Sequence, residues 1–453
     1  MRYENPEIQT AYPSKYLIGM TTITIKNVGP IKNIEKLQIK KVNVFMGQQS
    51  SGKSTIAKII SYCSWIEKEV AINQSLGEYN MNGNFRKKLE DFHRLYGYIN
   101  GNTEIYYKSE VIDLQFKNNE CSIEWVDKYA YRRNKIAYIP SERNLASLPF
   151  IQTVAMPDNN NRSFLFDWLT IRSKYRNDNK VEILDLPVAY YYKESMGAGE
   201  NHIFSTEKNN QYDILLENAS SGLQSVTPLI VASKYLAEWI YEHREDVSFE
   251  KEQKLDKVGL ILNQELVVEP LLGKQSSNEE FMDSSYRKIR ELLKKQDAKA
   301  LTLTEKWNEV MKHLFRAFRT QFIIEEPELN LFPSTQRSLI YYLLELINGE
   351  RDHQLIITTH SPYILYALNN CMFGYLVNSQ LQGAEKDDYL TNHFLSEKSW
   401  INPQSVSVWE IEDGTLRNIQ DKDQIISENY FDKKMTELTD EYYLMLNYYT
   451  DEE

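Results

Sequence analysis

Apolar residues along this chain follow two rhythms, and the change from one to the other marks its elements. Thr21–Asn27 alternates with a period of two and predicts a strand, Val28–Ile31 predicts a turn, and Ile34–Ile39 alternates again. Two antiparallel strands therefore lead into Val42-Asn-Val-Phe-Met46, whose apolar run predicts a buried strand. Thr55–Trp65 then takes up helical spacing. Residues 66–100 are polar and helix-like, and Thr103–Glu124 predicts a strand meander turning at Lys117-Asn-Asn-Glu120. Residues 1–20 carry Pro6 and Pro13 and read as an irregular extension.

Further along, Lys135–Pro140 is a short buried strand that runs into the polar loop Ser141-Glu-Arg-Asn144. Pro157–Arg162 is an Asn/Asp-rich break before a mixed helix, and strands return from Val181 to Leu216. Asn218–Ser225 is a small-residue turn before a helix over Val226–Glu242, a second candidate anion-binding helix start. Residues 243–300 are charged and helix-rich without sustained heptads, which excludes a long coiled coil. Gln321–Glu326 is an apolar strand ending in two carboxylates, followed by the loop Pro327–Pro333 and an amphipathic helix from Ser334, its expected cap, to Ile347. Gln354–His360 is the next buried strand. A helix then leads to Met372–Val377, expected as the last core strand, and Ser405–Ile419 is expected as a hairpin turning at Asp413-Gly414. The tail 430–453 is acidic and expected to be helical.

The first chemistry lies between the buried strand and its helix. Gly47-Gln48-Gln49-Ser50-Ser51-Gly52-Lys53-Ser54 fits G-x-x-x-x-G-K-[ST] at every fixed position. The glycines let successive N–H groups turn inward on phosphate oxygens, and the helix start adds a favourable dipole. Lys53 would reach the terminal phosphates of ATP, Ser54 would place its hydroxyl on Mg²⁺, and Thr55 continues the cradle. Glu325 and Glu326 would divide two tasks, one holding the metal and the other orienting the attacking water as base. His360, at the next strand end, would sit beside the γ-phosphate; the competing reading is a structural histidine.

Composition bounds the rest. A length of 453 residues allows two or three domains, and a net charge of −12 argues against broad capture of nucleic acid. Local basic stretches remain at Arg132-Arg133 and Arg287–Lys295, where a solvated helix face competes with nucleic-acid contact. No apolar run approaches the roughly 20 residues that span a bilayer, and Met1–Pro6 is no signal region. A cytoplasmic chain without membrane partners is expected, and Cys63, Cys121 and Cys371 fall without metal-ligand spacing.

The order of these motifs resembles the ABC/SMC-type ATPase head, and in particular the stand-alone AAA ATPases related to OLD, RecF and anti-phage defence systems. The resemblance implies an α/β fold, an ABC-type P-loop ATPase head with an antiparallel β subdomain and a helical insertion. In such heads an L-S-G-G-Q signature from one protomer closes on the nucleotide of another. Ser221, Gly222 and Gln224 match it, with Leu223 at the second glycine and Ser220 at the leucine. Glu325 takes the metal-binding place usually held by Asp, Glu326 the catalytic place, Glu328–Leu331 the D-loop place and His360 the switch place. No Q-loop glutamine follows the Ile136–Pro140 strand, and Ser141-Glu142-Arg143 would substitute.

The resemblance and the spacing together give the expected layout. The extension is 1–20, the head 21–242 and 319–420, the helical insertion 243–318 and the tail 421–453. A helix rise of about 1.5 Å per residue makes that insertion a short hairpin and not an arm. The implied partners are a second copy of the chain, completing composite ATP sites, and an effector on another chain. Two-gene anti-phage systems of the PARIS and Septu types supply such effectors as Toprim or HNH nucleases. A RecF-like DNA-binding repair clamp and a slow nucleotide-gated scaffold are the alternatives.

Overall fold

The computed structural model describes residues 21–80, 83–149, 151–153, 155–194, 199–243, 249–273 and 279–449. The expected extension at 1–20 and the end of the tail, 450–453, lie outside them. In chain order the first elements are β1 (Thr22–Val28), β2 (Ile31–Gln38), β3 (Val42–Gly47), α1 (Lys53–Asn73), α2 (Asn84–His93), β4 (Ile99–Lys108), β5 (Ile112–Lys117) and β6 (Glu120–Trp125). Then come β7 (Asn134–Ile139), α3 (Asn160–Arg172), β8 (Val181–Glu182), β9 (Val188–Lys193), β10 (Glu200–Ser205), β11 (Asp213–Leu215) and α4 (Ser221–Lys234). The helices α5 (Phe249–Asn263), α6 (Glu279–Lys294) and α7 (Ala298–Phe315) follow. The chain closes through β12 (Arg319–Glu325), α8 (Pro333–Ile347), β13 (Gln354–Thr359), α9 (Pro362–Gln380), β14 (Val406–Glu412), β15 (Thr415–Asn418) and α10 (Tyr430–Leu446).

A six-stranded sheet in the order β15-β14-β3-β13-β12-β7 forms the centre, with all neighbours parallel except the edge hairpin β14–β15. Its strands are apolar on both faces, as parallel strands covered on both sides must be. Phe322 and Ile324 of β12, Leu355 and Ile357 of β13, and Val44 and Met46 of β3 share one core with Trp168, Leu229, Leu343 and Leu365. The residues between them, Ile323, Ile356 and Phe45, enter a second core with Ile56 and Ile60 of α1. That second core also takes Ile25, Ile105 and Leu114 from the antiparallel sheet β2-β1-β4-β5-β6. The expected α/β class with an antiparallel β subdomain is therefore the observed architecture, and β8–β11 add a second antiparallel sheet. The meander turns where expected: Asn118 and Asn119 take φ of 53° and 61°, the left-handed pair of a tight hairpin.

Several local expectations are corrected. Met372–Val377 is not a strand but part of α9, and Cys371 and Met372 are buried because that helix packs on the sheet. A short apolar run does not distinguish the two states. The last core strand is β14, which forms the expected hairpin with β15 across Asp413-Gly414 and on its other edge pairs in parallel with β3. The cap position before α8 is Phe332, with Pro333 opening the helix, so Ser334 caps nothing and its carbonyl accepts from Ser338. Helix α4 begins at Ser221 and not at Val226, because the Ser220 hydroxyl accepts from the Leu223 N–H and starts the helix early. Ser141–Ser147 is a 3₁₀ helix and not an open polar loop.

The inserted helices lie against the head. Val258 and Leu262 of α5 and Val310 and Leu314 of α7 are buried in the second core, and Glu265 pairs with Lys128. Among the described residues no helix is long and apolar enough to cross a membrane.

Phe322 is 1% exposed in the middle of the sheet. Phe322→Ala is expected to destabilise the fold by about 3–5 kcal/mol. Chemical denaturation should show a lower midpoint at an unchanged m-value.

Candidate functional site

The site stands on the carboxyl edge of the central sheet, where register sets its parts side by side. Glu325 pairs with Thr358, Thr358 with Phe45 and Thr359 with Met46, so the ends of β12, β13 and β3 finish at one level. The chain then turns at Gly47 and Gly52, with φ of 152° and 106°, the positive range that favours glycine. A Cβ on Gly47 would lie 2.9 Å from the Ile411 carbonyl, so the loop passes too close to β14 for a side chain. Gln48, Gln49, Ser50 and Ser51 cross the gap, and Ser54 and Thr55 fall in the first turn of α1.

Lys53 is 4% exposed, and its three ammonium protons have three acceptors within the chain. They are the Gly47 carbonyl at 2.9 Å, the Gln48 carbonyl at 2.7 Å and His360 Nδ1 at 3.3 Å. Burial holds the amine down to about 8, against the opposing pull of Glu326 and Glu328. Since an ammonium only donates, His360 Nδ1 accepts and its proton sits on Nε2, which lies 3.3 Å from Glu326 Oε1. His360 titrates below its ordinary range because burial, then Lys53, disfavours the imidazolium. The three groups thus form one relay, from ammonium through neutral imidazole to carboxylate.

Glu326 lies one residue beyond β12 with φ of 43°, a left-handed conformation that strains a non-glycine residue by about 1–2 kcal/mol. Its N–H donates to the Thr358 carbonyl at 2.9 Å, which keeps the turn on the sheet. Glu328 holds the other side of the histidine: its Oε1 accepts from the Thr359 hydroxyl at 2.9 Å and from the His360 N–H at 2.6 Å. Burial raises its pKa.

Glu325 is 3% exposed, and its Oε1 has no hydrogen-bond partner among the described residues. Lys58, one turn beyond Ser54, has its amine lowered by burial and held up by Glu325. A buried, unanswered carboxylate oxygen beside the α1 helix fits Mg²⁺, which takes one or two carboxylates together with substrate phosphate oxygens. Ser54 and Glu325 are the residues that would hold it.

Two residues entered the sequence reading of the site only as members of loops, Glu328 in the D-loop place and Arg143 in the Ser141-Glu142-Arg143 loop that would substitute for a Q-loop glutamine. The run Glu-Glu-Pro-Glu carried Glu328 as a third carboxylate. Arg143 is fully buried and donates to five backbone carbonyls: Ser225 at 3.2 Å, Pro140 at 3.3 Å, Glu325 at 2.8 Å, Glu326 at 2.8 Å and Pro327 at 3.2 Å. Burial lowers it to about 10, with Glu328, Glu326 and Glu325 pulling the other way.

The structure does not bring Ser221, Gly222 and Gln224 to the Gly47–Thr55 loop: among the described residues no hydrogen bond joins the two. Ser221 is exposed, and a Cβ on Gly222 would lie 2.9 Å from the Asn330 carbonyl, so α4 starts against the Pro327–Phe332 loop. The Gln224 amide turns back to the carbonyls of Glu217 and Ala219, at 2.8 and 3.0 Å. Its observed role is therefore to close its own turn.

The depressed amine of Lys53 gives a pH test. Its folded pKa near 8 lies below the ordinary 10.5, so between them the unfolded chain binds more protons and this group adds stability as pH rises. Phosphate needs the charged form, so affinity for ATP should fall as pH climbs through 8, by up to about tenfold per unit. Calorimetric titration across that range should show the slope in the wild type and its loss in Lys53→Arg.

Residues 313–365 match the family model described as an AAA ATPase domain, a stretch that contains Glu325, Glu326 and His360. No curated protein matches the chain. Among solved structures, the SMC head domain from Thermotoga maritima is similar at 9% identity and a TM-score of 0.34, over 89% of this chain and 98% of that one. The recombination mediator protein RecF is similar at 11% identity and a TM-score of 0.27, over 89% and 99%. A dimeric ATP-binding cassette, MJ0796, bound to ADP and Pi, is similar at 12% identity and a TM-score of 0.26, over 87% and 97%. The AAA ATPase match takes in the carboxylate and histidine strands and leaves the Gly47–Thr55 loop outside it.

Proposed function

We propose that the chain is an ATPase whose nucleotide lies on the Gly47–Thr55 loop and is completed by a second copy. The observation that carries this reading is the relay Lys53–His360–Glu326 beside a phosphate-binding loop. Lys53 exchanges carbonyl oxygens for phosphate oxygens, and the loop N–H groups and the α1 start hold the remaining charge. Glu326 orients the attacking water and accepts its proton, while His360 turns its Nε2–H from the carboxylate to a γ-phosphate oxygen. Mg²⁺ held by Ser54 and Glu325 would supply positive charge where the transferred phosphoryl gathers negative charge.

The exposed Ser221 at the start of α4 supports a composite site, since among the described residues no hydrogen bond ties it to its own Gly47–Thr55 loop. ATP then fastens and times an assembly. Its partner is an effector on a separate chain, such as a Toprim or HNH nuclease, in an anti-phage system of the PARIS or Septu type. The support for that part of the reading is the order of motifs. In Glu326→Gln, ATP turnover is expected to fall by about 10²-fold or more while ATP and the assembled state persist. Phosphate release and sedimentation, read together, test it. Equal, near-zero turnover in wild type and variant would establish the nucleotide-gated scaffold instead.

A RecF-like DNA-binding reading draws on one observation, the exposed cations Arg287, Lys288, Arg290, Lys294 and Lys295 along and just beyond α6. The other basic stretch is engaged elsewhere: Arg133 donates to the Phe315 carbonyl, and Lys135 to Asp167. On that reading, duplex DNA binding falls steeply with salt, and Arg287→Ala with Arg290→Ala flattens the slope by about two contacts. Gel-shift titrations from low to physiological salt give the answer; salt-insensitive or absent binding favours the partner-controlling ATPase.

A further inference from the structure

We infer that Arg143 is a positioning residue that makes the start of α4 and the Glu325–Pro327 turn move as one body. Closure at the α4 face and the aim of the base Glu326 are thereby one event. The inference rests on the ATPase reading above and names a regulation of that same site.

Strand β7 pairs with β12 only as far as Ile139 opposite Ile324, and then turns away at Pro140. Beyond that pair, the carbonyls of Glu325 and Pro327 have lost their neighbouring strand while remaining buried, and that of half-buried Glu326 keeps only the Leu329 N–H at 3.1 Å. Unanswered backbone acceptors in such a place are expensive. The 3₁₀ turn at Ser141–Ser147 places a guanidinium where the strand would have continued. Its planar fork carries five N–H donors, and here all five find carbonyls. Four acceptors belong to the edge itself, and the fifth, Ser225, lies in the second turn of α4.

This places one rigid group between two mobile tasks. Glu326 is held in a left-handed conformation, which persists only where its surroundings impose it. The Arg143 bond to its carbonyl is one of four contacts that do so, with the Leu329 N–H on the same oxygen, the Thr358 carbonyl and His360. At the other end, Arg143 grips the helix that starts at Ser221. A shift of that helix on meeting a partner protomer pulls on Ser225, and through the same plane on the turn that carries the base. Lysine has three tetrahedral donors and no fork, so it can keep the charge and cannot keep the geometry.

The test compares Arg143→Ala and Arg143→Lys with the wild type, with circular dichroism to establish folding. In both variants kcat for ATP is expected to fall by about 10²-fold, while KM and the affinity for a non-hydrolysable analogue stay within about threefold. Added guanidinium chloride at low concentration should restore part of kcat in Arg143→Ala and nothing in the wild type. Turnover near the wild-type value in either folded variant would overturn the inference alone. So would a parallel loss of affinity and kcat that guanidinium leaves unchanged, since that is the mark of a merely structural group. A wild type without turnover would overturn the ATPase reading itself.

Discussion

Charge taken out of water must be answered within hydrogen-bonding reach, and that requirement organises the carboxyl edge of this sheet. Lys53 and Arg143 are buried cations, and Glu325 and Glu328 are carboxylates largely out of water. Every donor of the two cations has an acceptor in the chain. The carboxylates are not all answered in this way: one oxygen each of Glu325 and Glu328 is buried without a hydrogen-bond partner among the described residues. The edge is thus saturated on its cationic side and open on its anionic side.

Parallel strands make this gathering possible. Lys53 and His360 stand 307 residues apart in the chain, and they meet because β3 and β13 are neighbours that end together. Covering both faces with apolar helices and a second sheet fixes the register, because a slip of one residue would turn Phe322 and Ile323 into each other's cores. The fold therefore holds the strand ends to one level, and the left-handed residues Glu326 and Asn330 turn the chain sharply there.

What the sequence made legible was chemistry written in side chains. The Gly47–Ser54 loop, the carboxylates after Gln321–Ile324 and His360 after Gln354–Thr359 could be read because each follows an apolar run with a fixed residue type. The Ser141-Glu142-Arg143 loop could be given the Q-loop place, but the part played by Arg143 within that polar loop could not be read. The partners of Arg143 are backbone carbonyls, which leave no signature. Gln224 shows a role that residue type did not suggest: within the chain its amide closes its own turn on the carbonyls of Glu217 and Ala219. Met372–Val377 was misplaced for a third reason. Apolar runs of that length fit a buried helix as well as a buried strand, and only packing decides.

The central claim is that one nucleotide sits where β3, β13 and β12 end, held by the buried amine of Lys53. The direct measurement is an equilibrium titration of the chain with a non-hydrolysable ATP analogue and Mg²⁺, beside the same titration of Lys53→Ala. The account predicts saturable binding of one nucleotide per chain in the wild type and its loss in the variant. Absence of binding by the wild type, or equal affinity in the two proteins, would contradict it.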